Sequence, residues 1–272
     1  VLTRIAPMVA VLGVMIAVAA LTVRYVDPSR IGWVVVVFAI SPVFGDWSRS
    51  IPLAMGASFS QLFAMAWLLT VPIALHTWLE RPRIGRLLVL VTVMLALVGG
   101  KATHAVVAAV LLAATWVVLA IRRDSRARRT LVAGVVIAVL MTVVGRWLFG
   151  GAGQLRFLPM DWLPYLQGDL YEWRGPARVV AAGAYMIGMI GVVVLSIFSL
   201  ATSAAGRRPA AVVAVTLVVA VAGSMFSNRL YDLQPNGLYF VHSAVTLGWL
   251  GVAAGVAAPG GLAYRRLWLP AA

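Results

Sequence analysis

Two ionisable side chains interrupt the most apolar part of the sequence. Lys101, the only lysine in the chain, stands between the apolar runs 87–100 and 105–121, and His104 follows three residues later. Residues three apart share one face of a helix, where a lysine and a protonated histidine could together hold a phosphate. The alternative is a hairpin turn between two membrane spans, with the Lys101 ammonium group reaching the lipid headgroups. In either case the charge avoids the lipid chains, where it is costly.

A second charged pair, Asp46 and Arg49, lies in the sequence Gly-Asp-Trp-Ser-Arg-Ser. We predict a loop at residues 45–50 on the extracytoplasmic side of a membrane. The Asp46 carboxylate could serve there as a general base or a metal ligand, with Arg49 binding substrate. The alternative is an exposed salt bridge of little energetic value.

A third cluster occupies residues 227–242 and contains Arg229, Asp232 and Tyr239. Arg229 could pair with phosphate oxygens, and Tyr239 could stack on a sugar. Asp232 follows Arg229 by three residues, so the two could form an ion pair within the cluster. The alternative is an ordinary reverse turn around Pro235-Asn236-Gly237, with the aromatic residues at the lipid interface.

The segment 150–178 is the longest polar stretch, and its prolines and interspersed aromatic residues argue against a membrane span. We predict an extracytoplasmic interfacial loop containing a short helix that lies on the membrane. Its carboxylates, Asp161, Asp169 and Glu172, do not follow a known metal-ligand spacing. We therefore predict no metal and no cofactor, since nothing in the spacing supports a divalent cation.

The composition identifies the class of protein. The 272 residues are 62% hydrophobic and 11% charged, whereas soluble domains contain about 25% charged residues. The net charge of +14 comes from short arginine clusters between apolar runs, which is typical of membrane proteins rather than nucleic-acid-binding proteins. The absence of cysteine excludes disulfides and thiolate metal sites. The sequence also lacks the motifs of ATPases, serine hydrolases and zinc proteases.

We predict an all-α, polytopic integral membrane protein with about nine transmembrane helices and a single domain over residues 1–272. The predicted spans are 5–23, 31–44, 51–79, 84–100, 103–121, 130–149, 179–201, 210–226 and 239–257. Arginine clusters follow the odd-numbered spans, which predicts the N-terminus outside and the C-terminus inside. Because the chain begins with Val and has no evident signal peptide, this orientation favours a fragment that lacks upstream spans.

Three passages suggest a family. Phe59-Ser60-Gln61-Leu62-Phe63 opens a long span, and Gly99-Gly100-Lys101-Ala102-Thr103-His104 lies between consecutive spans. Together with the turn at 227–241 and its Tyr239-Phe240, they resemble the C-terminal half of GT-C-class polytopic membrane glycosyltransferases, especially the actinobacterial members. The resemblance implies transfer of a sugar from a polyprenyl-phosphate donor at the extracytoplasmic face. It also implies a catalytic carboxylate in the first external loop. No matching acidic motif precedes Asp46, so Asp46 substitutes for it or the base lies upstream.

These observations favour a glycosyltransferase-like protein of the bacterial inner membrane that acts in cell-envelope assembly. Its substrate would be a polyprenyl-phosphate-linked sugar, held by Lys101, His104 and Arg229, with Asp46 as the catalytic base. The expected partners are membrane lipids and further membrane subunits, and not nucleic acid. The alternatives are a transporter or flippase of an anionic lipid or solute, and a non-catalytic membrane subunit.

Overall fold

The computed structural model describes the chain in separate stretches. These are residues 2–25, 29, 31–40, 42–43, 46–50, 59–100, 102–149, 156–157, 176–201, 207–227, 243–248 and 250–252. Within them, the protein is α-helical apart from four short strands.

The helices are α1 (Leu2–Tyr25), α2 (Ile31–Ile40), α3 (Phe59–Glu80), α4 (Ile84–Gly100), α5 (Ala102–Ile121), α6 (Arg126–Phe149), α7 (Pro176–Ala201) and α8 (Arg207–Ser224). A last apolar helix, α9 (Ser243–Val252), is described on both sides of position 249. The strands are β1 (Pro42–Val43), β2 (Asp46–Ser50), β3 (Arg156–Phe157) and β4 (Phe226–Ser227). β1 pairs with β2, and β3 pairs with β4, both in antiparallel fashion.

The helices agree with the predicted spans in order and approximate extent. The main differences concern the second and third spans. α2 ends at Ile40, before Ser41-Pro42, because a proline disfavours helical geometry in the residue before it. The third span was predicted from residue 51, but α3 begins at Phe59 and contains Pro72 in its interior. Residues 51–58 lie outside the described part of the chain, and β2 occupies residues 46–50.

Three helical stretches are long and apolar enough to cross a membrane: Phe63–Glu80, Thr103–Ile121 and Arg126–Leu148. A helix rises about 1.5 Å per residue, so these stretches approach or exceed the hydrocarbon thickness of about 30 Å. Shorter apolar helices include Val9–Arg24 and Ile84–Gly100. Many large apolar side chains on these helices are exposed, which favours a lipid environment over water. The protein is therefore a helical membrane protein.

The chain divides into two compact units. The first unit comprises Val1–Ala17 and Ser58–Gln154, and the second comprises Val18–Ala57 and Leu155–Ala272. The first unit contains α3 to α6 together with the beginning of α1. The second contains the remainder of α1, the four strands, α2 and α7 to α9. The sequence analysis treated the chain as a single domain.

In the first unit, α3 to α6 are joined by short connections at residues 81–83, 101 and 122–125. α4 packs against α3, α5 and α6, while α5 packs against α3 and α6. Such short connections make consecutive helices antiparallel. A Cβ on Gly145 in α6 would lie 3.6 Å from Val98 in α4, so the ends of these two helices are neighbours.

The first unit therefore has two distinct ends. The arginine end comprises residues 80–86 and 121–129. It contains the C-termini of α3 and α5, the N-termini of α4 and α6, and the two connections between them. The glycine–histidine end contains the N-termini of α3 and α5 and the C-termini of α4 and α6. Residues 99–104 include its connection, at position 101. All eight arginines from Arg81 to Arg129 belong to the arginine end. The opposite end has Arg146 near the close of α6.

In the second unit, α7 packs against α8. α7 also meets α9 at very short range. A Cβ on Gly251 would overlap the Oγ of the fully buried Ser196, and a Cβ on Gly248 would lie 3.1 Å from the Cα of Val193. Small residues allow membrane helices to approach at such distances, where van der Waals packing drives association.

Candidate functional site

His104 lies in the first turn of α5, at the glycine–histidine end. It heads a buried face that continues through Val107, Ala108, Leu111 and Leu112, following the helical repeat. The side chain of His104 is 0% exposed. A shared helix face and a hairpin turn were both open for Lys101–His104; α5 starts at Ala102, so His104 is helical and lies inside the first unit.

The polar neighbour described for His104 is Thr103. The Thr103 Oγ1 lies 3.3 Å from the His104 Nδ1, and Thr103 is itself 9% exposed. A buried polar group is costly in an apolar interior unless it has hydrogen-bond partners. The two adjacent buried polar side chains, Thr103 and His104, are therefore a specific feature of this end.

Gly100, the last residue of α4, lets α4 pack closely against α3 at this end. A Cβ at position 100 would lie 3.0 Å from the Ala64 Cβ and 3.3 Å from the Ala64 Cα in α3. The helices could not keep this approach with a larger residue. At Gly99 a Cβ would meet no atom within 4 Å. At the end of α4, Gly99 thus lies on an open face of the helix, and Gly100 lies on the face packed against α3.

Several predicted site residues lie outside the described residues. They are Lys101, Arg229, Asp232 and Tyr239. By sequence, Lys101 occupies the connection between the close-packed Gly100 and the first turn of α5. The predicted grouping of these residues with His104 and Asp46 stays a prediction.

Asp46 and Arg49 belong to β2, so the predicted loop at 45–50 is wrong for residues 46–50. In the backbone register, Asp46 pairs with Val43 and Ser50 pairs with Pro42, with an irregularity between the two pairs. Three residues of an extended strand span about 10 Å, whereas three residues of a helix form nearly one turn. The helical spacing behind the predicted Asp46–Arg49 pair therefore does not apply.

The strands also connect two predicted polar regions. Arg156 pairs with Ser227, and Phe157 pairs with Phe226. This backbone pairing joins the long segment 150–178 to the start of the cluster at 227–242. Sequence reasoning missed it, because two-residue strands are too short to produce a recognisable alternation. The short interfacial helix predicted within 150–178 falls outside the described residues.

The arginine end is organised by Asp124. Arg123 has a left-handed backbone conformation, with a φ of 52°, and the Asp124 N–H donates to the Leu119 carbonyl at 2.9 Å, which closes α5. The Asp124 carboxylate accepts from the Arg126 backbone N–H at 2.9 Å and from its Nε at 3.0 Å, which caps α6. These hydrogen bonds lower the pKa of Asp124 from 3.8 to about 2.

Other contacts at this end involve the close of α3. The Arg86 guanidinium donates to the Thr77 carbonyl at 2.8 Å, which satisfies one of the last carbonyls of the helix. The His76 Nε2 lies 3.0 Å from the Glu80 carboxylate. The remaining six arginines are exposed and make no side-chain hydrogen bond or ion pair among the described residues. These are Arg81, Arg83, Arg122, Arg123, Arg128 and Arg129.

The two ends therefore differ in chemistry. The arginine end carries many exposed guanidinium groups, while the glycine–histidine end is close-packed around the buried imidazole of His104. Within the described residues, no group of three His, Asp or Glu side chains could hold a metal ion.

No protein-family model, curated protein sequence or solved structure matches the chain. The resemblance to GT-C-class glycosyltransferases stays a prediction from the sequence passages.

Proposed function

We propose that the protein is a nine-span protein of the bacterial inner membrane, with its N-terminus outside and its C-terminus inside. The separation of charge in the first unit supports this orientation, because arginines concentrate on the cytoplasmic side of membrane proteins. The arginine end would then be cytoplasmic, and the glycine–histidine end extracytoplasmic.

We further propose that the glycine–histidine end acts on a polyprenyl-phosphate-linked sugar, in the manner of a membrane glycosyltransferase. The observation that carries this proposal is the complete burial of His104 in the first turn of α5. Ionisable residues within membrane helices are rare, and they mark binding sites and pathways more often than lipid-facing surfaces. His104 also follows the only lysine of the chain by three residues.

The proposed mechanism assigns separate roles to these residues. Lys101 holds the phosphate of the donor lipid as a point charge. His104 is too deeply buried to contact a substrate directly. Its proposed role is to hold the α4–α5 connection in position from inside the first unit. A fixed positive charge in a low-dielectric site stabilises the phosphate as it leaves the sugar. Asp46 is the proposed base that activates the acceptor.

The position of His104 along α5 favours this function over transport. A carrier is expected to hold its central charge near the middle of the bilayer, where alternating access occurs. α5 contains 20 residues, and His104 belongs to its first turn. At about 1.5 Å per residue, the imidazole level is roughly 10 Å or more from the centre of this helix. A site at one membrane face suits a transferase better.

Binding of a polyprenyl monophosphate to the full chain in lipid nanodiscs tests the proposal. We expect Lys101→Gln to weaken binding at least about tenfold, since a charge-assisted phosphate contact is lost. Lys101→Arg should retain most of the affinity because it keeps the charge. Arg146→Gln is the matched control, because Arg146 also lies at this end but on the exposed face of α6.

Equal affinity in the wild type and Lys101→Gln would remove the proposed phosphate site. A second measurement distinguishes the activities. Proteoliposomes supplied with a labelled polyprenyl-phosphate sugar should release or transfer the sugar. Movement of the intact lipid across the bilayer, without loss of the sugar, would instead identify a flippase.

A further inference from the structure

The outer face of α6 combines an apolar surface with a basic beginning. Only 11% of the span Arg126–Leu148 is buried within the protein, compared with 33% for Thr103–Ile121. The buried stripe of α6 is narrow and includes Thr130, Ala133 and Ile137. The remainder of this helix therefore faces the surroundings.

One exposed row of α6 runs through Val132, Val135, Val139 and Val143, each 56–60% exposed. These positions follow the helical repeat, and continuing the row backwards by one turn reaches Arg128. Arg129 stands beside it. The row is therefore apolar along its length and strongly basic at its beginning.

A shallow surface groove adjoins the same arginines. It is lined by Trp78, Leu79 and Pro82 from the end of α3 and by Arg126 and Arg129 from the start of α6. Asp124 already engages Arg126, whereas Arg128 and Arg129 make no side-chain hydrogen bond or ion pair among the described residues. Two guanidinium groups are thus available to an external anion.

The arginines in the first turn of α6 lie in an unfavourable electrostatic environment. The first turn of α6 contains several arginines and no acidic residue. Cations near the N-terminus of a helix are destabilised by the positive end of its dipole. An anion placed between Arg128 and Arg129 would offset this repulsion as well as pairing with both guanidinium groups.

We propose that this surface, Arg128 and Arg129 with the valine row below them, binds an anionic phospholipid. The headgroup phosphate pairs with the two arginines, and an acyl chain lies along the valines. The dimensions agree, because Arg128 to Val139 spans about 16 Å of helix and half a bilayer core is about 15 Å thick. The site is independent of the proposed transferase function, since it belongs to the opposite end of the first unit.

The chain has no cysteine, so one fluorophore can be attached at a chosen position. With Val132→Cys labelled, quenching by brominated phosphatidylglycerol is compared with quenching by brominated phosphatidylcholine in bilayers. We expect the anionic lipid to be preferred roughly tenfold or more at low salt, given the attraction of about fivefold per basic residue near an anionic surface. Arg128→Gln with Arg129→Gln should bring the ratio close to one.

Two controls make the result specific. A label at Val106, which is exposed at the glycine–histidine end, should report little preference. Arg146→Gln should leave the ratio at Val132→Cys unchanged, although it removes the same charge from the same helix. If the double glutamine variant does not insert, Arg128→Lys with Arg129→Lys retains the charge and should retain the preference.

A ratio near one in the wild-type background at low salt would overturn the proposal. Inorganic phosphate, added at matched ionic strength, should not change the ratio, because it lacks an acyl chain. Displacement of the brominated lipid by inorganic phosphate would assign the arginines to a soluble anion and would also overturn the lipid site.

Discussion

The arginine end and the glycine–histidine end of the first unit are built from the same four helices but on opposite principles. At the arginine end, connections of three and four residues carry exposed charge, and hydrogen bonds from Asp124 and Arg86 complete the helix termini. At the glycine–histidine end, a single residue separates α4 from α5, and α4 contacts α3 through Gly100 and Ala64. The comparison separates an end that interacts through charge from an end whose geometry is fixed by packing.

The largest expected effect concerns the sides of the membrane on which the two ends lie. Because the chain has no cysteine, Ser125→Cys and Gly99→Cys each provide a single thiol, one at each end. We expect an impermeant maleimide added outside intact cells to label Gly99→Cys and not Ser125→Cys. Labelling of both thiols after permeabilisation is the control. The reverse pattern would invert the proposed orientation, and labelling of both in intact cells would contradict two opposite ends.

A second prediction tests the packing of the glycine–histidine end. Gly100→Val should destabilise the protein by about 3 kcal/mol, because the new side chain meets the Ala64 backbone and forces α3 and α4 apart. Gly99→Val is a matched control with the same change in helix propensity, and its surroundings are open. Unfolding in mixed detergent micelles measures both. Equal losses would mean that helix propensity, and not the contact with α3, determines the cost of replacing Gly100.

A third prediction compares two leucines of α4. Leu97 is 0% exposed and lies towards the glycine–histidine end, while Leu88 is 58% exposed and lies towards the arginine end. Leu97→Ala should cost about 2 kcal/mol through the cavity that it leaves, and Leu88→Ala should cost less than about 0.5 kcal/mol. The same unfolding assay measures the difference. Similar losses would indicate that the two ends are packed alike.

The smallest effect is expected at Asp124. Asp124→Asn keeps an oxygen that can cap α6 but loses the charge paired with Arg126, so we expect a slight decrease in the unfolding temperature. The pKa of Asp124 is lowered from 3.8 to about 2. A lowered pKa stabilises the folded state above the unfolded value, and this contribution disappears as the pH falls through about 2.

The pH dependence supplies the control for Asp124. The difference between the wild type and Asp124→Asn should stay constant from about pH 5 to pH 8, well above both pKa values, and should vanish towards pH 2. A difference that instead changes around neutral pH would assign the effect to a group other than Asp124.

Much of the helical arrangement could be predicted from the sequence, because apolar runs of membrane length carry a strong signal. α4 begins and ends where predicted, at Ile84 and Gly100. The start of α3 was misjudged by eight residues, since an apolar stretch before Phe59 resembles the span itself. The four strands were not foreseen, because backbone pairing between short segments leaves no periodic pattern.

The candidate site was only partly predictable. The types of Lys101 and His104 drew attention to the α4–α5 connection, but sequence alone could not distinguish an exposed turn from a buried first helical turn. Burial of His104 depends on which face of α5 meets α3 and α4. The contact of Gly100 with Ala64 joins residues 36 positions apart, so no local pattern could have revealed it.

The single residue between α4 and α5 has a consequence for biosynthesis. A loop on the far side of a membrane must be carried across the hydrocarbon core during insertion, and each charged or polar residue in it opposes that transfer. Here position 101 forms the whole connection between Gly100 and Ala102. α4 and α5 can thus enter the bilayer together as one helical hairpin, with Lys101 as the one charged residue between them.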